Sequence, residues 1–238
     1  MRTFALIGNN LSHSFSEMFF KKKFKKEKII KTKYINLELQ DIKNIRSIIF
    51  NHKLSGLNVT IPFKQKIIPF LDDVSKEVKK IGAVNTIEIK EKKIIGHNTD
   101  IIGFKKSIIP LLNNRNKALI LGDGGSAKAI KFVLSDLNID YQTVTRNSVF
   151  DYCDINKKII EEYSIIVNTT PLGMFPQTKK CPKIPFDLLS KQHLLFDLIY
   201  NPQETLFLKN GKKYKCEIKN GYEMLKIQAE ESWNIWNR

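Results

Sequence analysis

Cysteine is scarce in this chain of 238 residues, and the three present, Cys153, Cys181 and Cys216, are widely spaced and outside any Cys-x-x-Cys or Cys/His pattern. That excludes a disulfide framework and a zinc site, and no other metal site is expected; a reducing, cytoplasmic setting fits best. Long apolar runs are lacking as well. None approaches the roughly 18–20 residues of a membrane span, and the run in the opening MRTFALIGNN breaks at Gly8, so no membrane partner is expected. Acidic residues are in deficit, 24 against 40 Lys and Arg, for a formal charge of +16. Such a balance is a usual first sign of a nucleic-acid partner. Here the densest cluster, Lys21 to Lys28, interleaves with Phe20 and Phe24 at a spacing of four, the pattern of a solvated helix face over a buried one. No helix-turn-helix or RNA-binding-sheet signature accompanies it, so no nucleic-acid partner is expected. The lysines come with abundant Ile and Asn, as AT-rich codon usage produces on a tolerant surface, with modest steering of small anions as the other reading.

Internal repeats and low-complexity linkers are absent too, and what remains is a regular alternation of apolar runs with helical patterns. It argues an α/β protein with parallel sheets, and the length suits one large or two small domains. Strands are read near 3–8, 32–37, 56–60, 83–89 and 93–97, with helices near 14–26, 41–50, 63–70 and 73–80. A helical segment after Asp100 leads to a second series of strands near 117–122, 140–145, 164–168, 194–198 and 214–218. A last helix runs from about Tyr222 to Trp236. Met224, Leu225, Gln228, Ala229, Ser232, Trp233 and Trp236 share one stripe of it, and Glu223, Lys226, Glu230, Glu231 and Asn234 fall off it. Gln228 is out of place on that stripe. A buried amide needs partners, which backbone or a polar ligand can supply.

The strongest local signal is KALILGDGGSAKAI, in which a strand ends at Gly122-x-Gly124-x-x-Ala127 and a helix opens at once. Gly122 allows the tight turn, Gly124 lets backbone approach a pyrophosphate, and Ala127 permits close packing of helix on strand. Gly125 and Ser126 stand between them at the helix N-terminus, whose free N–H groups suit phosphate. A tight turn that binds nothing is the alternative. About twenty residues on, where an NAD site carries an acid, this chain has Thr145-Arg146-Asn147. A guanidinium there suits a 2′-phosphate and favours NADP over NAD, unless Arg146 is an ordinary surface arginine. Asp123, inside the loop, would repel pyrophosphate unless it points away.

Other segments make little sense as packing: LSHSFS (11–16), NVTIPFK (58–64), AVNT (83–86), GHNTD (96–100), NTTPLGM (168–174), DLIYNPQET (197–205) and GYEMLKIQAEESW (221–233). Together, and in this order along nearly the whole chain, they closely resemble the shikimate dehydrogenase family. The resemblance implies an amino-terminal α/β substrate-binding domain, a Rossmann NADP-binding domain, and a carboxyl-terminal helix returning to the first domain. The boundaries expected are 1–101, completed by 222–238, and 102–221. The implied activity is reversible reduction of 3-dehydroshikimate to shikimate with NADPH, on the pathway to chorismate and aromatic amino acids, by a cytoplasmic monomer or homodimer.

Site residues follow from the same resemblance. Lys64 and Asp100 match the family's catalytic pair over the reacting oxygen. Ser14 and Ser16 match the segment that holds the substrate carboxylate, a role that hydroxyls and N–H groups at a helix mouth suit, with plain N-capping as the alternative. Thr60, Asn85 and Gln228 match positions that hydrogen-bond the substrate hydroxyls, and Tyr200 a tyrosine near the substrate. Met174, Gly173 and Gly221 match the region around the nicotinamide. On the residues alone, Pro62 suits a first helical turn, so Lys64 would sit near the positive end of a helix dipole. A Ser/His hydrolase built on His13 and Ser14 fails for want of a nucleophile elbow. Two departures stand out: Glu17 replaces the usual Pro after the second serine, and Phe150 replaces a basic residue that commonly helps with the 2′-phosphate.

Overall fold

A computed structural model describes every residue except Asn10, Ser12, His13, Asn147 and Ser148. Parts of two sequence motifs therefore lie outside the described residues: Ser12 and His13 of LSHSFS, and Asn147 of the Thr145-Arg146-Asn147 run. The chain divides into two compact units, Met1–Asp100 with Gln228–Arg238, and Ile101–Ile227.

The first unit is built on a six-stranded sheet. Its elements are β1 (Arg2–Gly8), α1 (Phe15–Lys26), β2 (Thr32–Glu38), α2 (Ile45–Asn51), β3 (Leu54–Val59), β4 (Asp73–Val74), α3 (Lys76–Ile81), β5 (Thr86–Lys90) and β6 (Lys93–His97). Their order across the sheet is β2-β1-β3-β5-β6-β4. The expectation of parallel pairing holds for β1 with β2 and β3 but fails at β5, which runs antiparallel to both β3 and β6. The short link Glu91-Lys92 explains the pairing of β5 with β6, because a parallel return needs a crossover of a dozen or more residues. The helix expected at 63–70 is also absent. Pro69 lacks an amide proton and disfavours helical backbone before it, so the segment forms turns that end in a 3-10 turn at Ile68–Phe70.

The second unit carries α4 (Asp100–Ile108, whose first residue belongs to the first unit), β7 (Lys117–Leu121), α5 (Gly125–Asp136), β8 (Asp140–Val144), α6 (Lys157–Glu162), β9 (Ile165–Asn168), β10 (Leu194–Asp197), α7 (Leu206–Lys213) and β11 (Glu217–Lys219). Its sheet, β11-β10-β9-β7-β8, is parallel throughout. The strands β7, β9 and β10 are apolar and almost wholly buried, as strands covered on both faces must be. The chain moves from β7 outward to β8 and then returns to β9 on the other side. That reversal opens a crevice at the carboxyl ends of β7 and β9, the place where open α/β sheets bind ligands.

The last helix, α8 (Tyr222–Trp236), has its second half in the first unit. Aromatic packing fixes that half: Trp236 stacks on Phe4 of β1 at 4.6 Å between ring centroids, and Phe20 of α1 stacks on Tyr34 of β2 at 4.5 Å. The indole N–H of Trp236 donates to the Ile87 carbonyl at 2.9 Å. Rings this well buried contribute roughly 1.5–3 kcal/mol each. They set the rotation of the helix and so decide that Gln228 and Ser232 face the sheet.

Candidate active site

Strand direction gathers the first group of residues. β1, β3 and β6 share one direction, so Ser14, Thr60 and Asp100, which follow them, emerge toward the same sheet edge. Asn85 precedes the reversed strand β5 and emerges there as well. The antiparallel strand that the sequence did not announce is therefore what brings Asn85 beside Asp100.

Lys64 lies in the turns after β3, anchored by the buried side chains of Phe63 and Ile67 and by its own carbonyl, which accepts from the Val84 N–H at 2.7 Å. No helix opens at Pro62, so the helix-dipole argument for Lys64 does not apply. Its ammonium instead donates to Asp100 Oδ2 at 2.6 Å, with the two side chains 12% and 8% exposed. A pair this dry persists only when its remaining atoms are also satisfied. Asp100 Oδ1 accepts from Asn85 Nδ2 at 2.9 Å, and the Asp100 N–H donates to Asn98 Oδ1 at 3.1 Å.

Gln228 joins the same cluster from α8. Its Oε1 accepts from Asn85 Nδ2 and from the Thr99 hydroxyl, each at 3.3 Å. Thr60 is half-buried in the turn after β3, its N–H donating to the Ile7 carbonyl. Ser14 is the N-cap of α1, its hydroxyl accepting from the Glu17 N–H at 3.5 Å, so capping is present as the alternative reading required. Glu17 does not displace the helix start. Its carboxylate accepts from Asn36 Nδ2 at 2.7 Å and from Lys21. Ser16, one residue into the helix, is buried beside the Tyr34 phenol.

The second unit supplies a separate group. Gly122 follows β7 with φ +102°, and a Cβ on it would lie 2.9 Å from Thr169 Oγ1 and Thr170 Cγ2, so glycine is required where the loops after β7 and β9 meet. Around Gly124, by contrast, a Cβ would find nothing within 4 Å, leaving open space over the N-terminus of α5. Gly125 and Ser126 form the first turn of that helix and Ala127 is fully buried beneath it. Asp123 points away from this space, its carboxylate accepting from Lys131 Nζ at 2.7 Å. Thr145 and Arg146 follow β8, with Arg146 exposed.

In the loop after β9, Gly173 has φ +103° and Met174 is 40% exposed. Tyr200 follows β10 and is half-buried. Gly221 has a packing reason for being glycine, because a Cβ there would lie 2.1 Å from the Leu198 carbonyl oxygen.

Several polar residues escaped the sequence reading. Tyr34, Asn58, Thr86, Thr99 and Ser232 are buried and joined by hydrogen bonds. Their signal was a serine four residues after Gln228 on an otherwise apolar stripe. Asp197 is the second omission. It is fully buried and accepts from Thr205 Oγ1 at 2.6 Å, Asn168 Nδ2 at 3.0 Å and the Ile199 N–H at 3.0 Å, tying together the loops after β9 and β10. Burial pushes its carboxyl up to about 6 against those hydrogen bonds. The Cys181 thiol is pushed up to about 12, also by burial, and so stays protonated. Among the described residues, no group of three or more His, Cys, Asp or Glu could hold a metal ion, and no helix is long and apolar enough to cross a membrane.

Comparison with known proteins supplies the family. The family model for the shikimate dehydrogenase substrate binding domain matches residues 6–87. The shikimate dehydrogenase (NADP(+)) of Clostridium beijerinckii is 39% identical over 99% of this chain and 92% of its own. The crystal structure of shikimate dehydrogenase 1 from Peptoclostridium difficile superposes with a TM-score of 0.89 at 35% identity, covering 100% of this chain and 92% of its own. That of the Thermus thermophilus enzyme, in complex with NADP(H) and shikimate, gives 0.88 at 25% identity, covering 99% and 93%. On this identity over nearly its whole length, the chain belongs to the shikimate dehydrogenase family.

Proposed function

We propose that this chain catalyses the reversible, NADP-dependent interconversion of shikimate and 3-dehydroshikimate, with residues 1–101 and 222–238 holding the substrate and 102–221 the cofactor. The observation that carries the reading is the buried Lys64–Asp100 pair, with the amides of Asn85 and Gln228 against it. In reduction, the Lys64 ammonium gives a proton to the developing alkoxide; in oxidation, the neutral amine takes the hydroxyl proton. Asp100 fixes the direction of Nζ, and Asn85 holds Asp100. Ser14 and Ser16 receive the substrate carboxylate, and Thr60, Asn85, Gln228 and Tyr200 its hydroxyls.

The residues of the second unit fit a dinucleotide. The open space at Gly124 and the helix N-terminus beside it suit the pyrophosphate, with Gly122, Gly125, Ser126 and Ala127 shaping the turn. Arg146, with Thr145, stands at the end of β8 where a 2′-phosphate would be clamped, which favours NADP. Met174 and Gly221 would border the nicotinamide. When bound, the cofactor supplies or accepts the hydride.

The reading extends to a cytoplasmic monomer or homodimer that binds no nucleic acid and serves the route to chorismate and aromatic amino acids. The test is initial rates with shikimate and quinate, each against NADP and NAD. Turnover should be fastest with shikimate and NADP. Faster turnover of quinate, or preference for NAD, would replace the assignment, and no turnover with any pair would remove it.

A further inference from the structure

Behind the side chains assigned to the substrate lies a second layer of polar groups, Asn58, Thr86, Thr99 and Ser232, each between 0% and 5% exposed. Nothing in the proposed chemistry uses Ser232, yet its Oγ has four polar neighbours. They are Asn58 Nδ2 at 2.9 Å, Thr86 Oγ1 at 2.8 Å, Thr99 Oγ1 at 3.3 Å and the Gln228 carbonyl at 2.9 Å.

Following the protons assigns each bond a direction. Asn58 Oδ1 accepts from the Tyr34 phenol at 2.7 Å, so its Nδ2 must donate, one proton to Ser232 and the other shared between Thr86 Oγ1 at 3.2 Å and the Asn85 carbonyl at 3.3 Å. Ser232 spends its one proton on the Gln228 carbonyl, four residues back on the helix. It therefore accepts the proton of Thr86. Thr86 also lies 3.1 Å from Asn85 Oδ1, the acceptor that the Thr99 N–H reaches at 2.7 Å. A fixed backbone donor on Oδ1 turns Asn85 Nδ2 toward Asp100, Thr99 Oγ1 and Gln228, which in turn commits Gln228 Oε1 inward.

We propose that Ser232 is a positioning residue for the substrate site: by taking the Thr86 proton and anchoring the Gln228 turn of α8, it holds the Asn85 and Gln228 amides in one orientation. Without its hydroxyl, Thr86 turns its proton onto Asn85 Oδ1, where it competes with the Thr99 N–H, Asn58 loses an acceptor, and the Gln228 turn of α8 loses its side-chain anchor, so both amides shift from the positions that match the substrate. The layer works because it is dry; a buried polar group has few alternatives once its partners are set.

The inference rests on the shikimate reading, and the two fail separately, since only failure of that reading leaves the parent chain without turnover. Ser232→Ala should raise the KM for shikimate roughly five- to twentyfold, with kcat within about threefold of the parent and the KM for NADP unchanged, the pattern of a lost ground-state contact. Thr86→Val, which removes the other hydroxyl while keeping its shape, should do the same and provides the test if Ser232→Ala does not fold. The double variant should be much less impaired than the product of the single effects, because both act on one proton chain. Ser232→Thr, which keeps the hydroxyl, should recover most of the affinity. A lowered Tm with parent-like KM values for both ligands would make Ser232 merely structural and overturn the proposal, as would multiplicative effects in the double variant.

Discussion

In the first unit the groups assigned to the ligand are side chains, Lys64, Asn85, Asp100 and Gln228, locked to one another in a dry cluster. In the second unit the corresponding positions are mostly backbone: a turn at Gly122, open space at Gly124 and a helix N-terminus. The contrast follows from what each ligand asks for. A small polyhydroxy acid is told from its isomers by placed donors and acceptors, which need long side chains held rigid. A pyrophosphate is a diffuse anion that backbone N–H groups can hold, provided no side chain stands in the way. Substitutions in the two halves should therefore move different constants.

The largest effect is expected in the first half. Lys64→Ala should lower kcat by roughly 10²–10⁴, the range of a positioned acid or base, while the KM for NADP stays within about twofold. Single-turnover rates would check it; a loss confined to KM would strip Lys64 of its proton. In the second half, Gly122→Ala must adopt a positive φ and press Cβ against Thr169 and Thr170. A turn that relaxes to relieve this strain leaves the geometry that suits a pyrophosphate, so the KM for NADP should rise roughly tenfold, with shikimate affinity unmoved. An equal shift in both would break the division of labour.

Smaller effects sharpen the comparison. Asp197 is the one strongly perturbed carboxylate among the described residues, raised to about 6 by burial. Because its folded value lies above the unfolded one, stability should fall as pH rises from about 4 to about 6 and then level off, by a few kcal/mol in all. Asp197→Asn should remove that slope, as urea midpoints of both proteins between pH 4 and 7 would reveal; identical slopes would refute it. The smallest effect belongs to Lys131→Ala, which frees the Asp123 carboxylate from a half-exposed ion pair. The KM for NADP should rise only about two- to threefold, and 0.5 M salt should erase most of that rise.

Much of this organisation was legible beforehand because its cause is local. Glycines at a strand-to-helix turn, the stripe on α8 and the order of the motifs are all readable along the chain, and Gln228 betrayed itself by being polar on an apolar face. What escaped depends on distant parts of the sequence. The reversal of β5 relative to β6 follows from a two-residue link, yet its consequence, Asn85 beside Asp100, is a matter of sheet geometry. The missing helix at 63–70 turns on Pro69, a local signal that the apolar spacing outweighed. Ser232, Thr86 and Asn58 look like ordinary small polar residues until three elements bring them within hydrogen-bonding distance. Asp197 likewise acquires its raised pKa only when β10 is buried.

The most direct test of the contrast is Gln228→Ala, assayed for both ligands in one set of initial-rate measurements. Gln228 belongs to the side-chain cluster of the first unit, and truncating one partner of a buried polar contact costs about 1–3 kcal/mol. The KM for shikimate should rise roughly ten- to hundredfold while that for NADP stays within about twofold. A comparable rise in both, or a change confined to NADP, would contradict the assignment of side chains to the substrate and backbone to the cofactor.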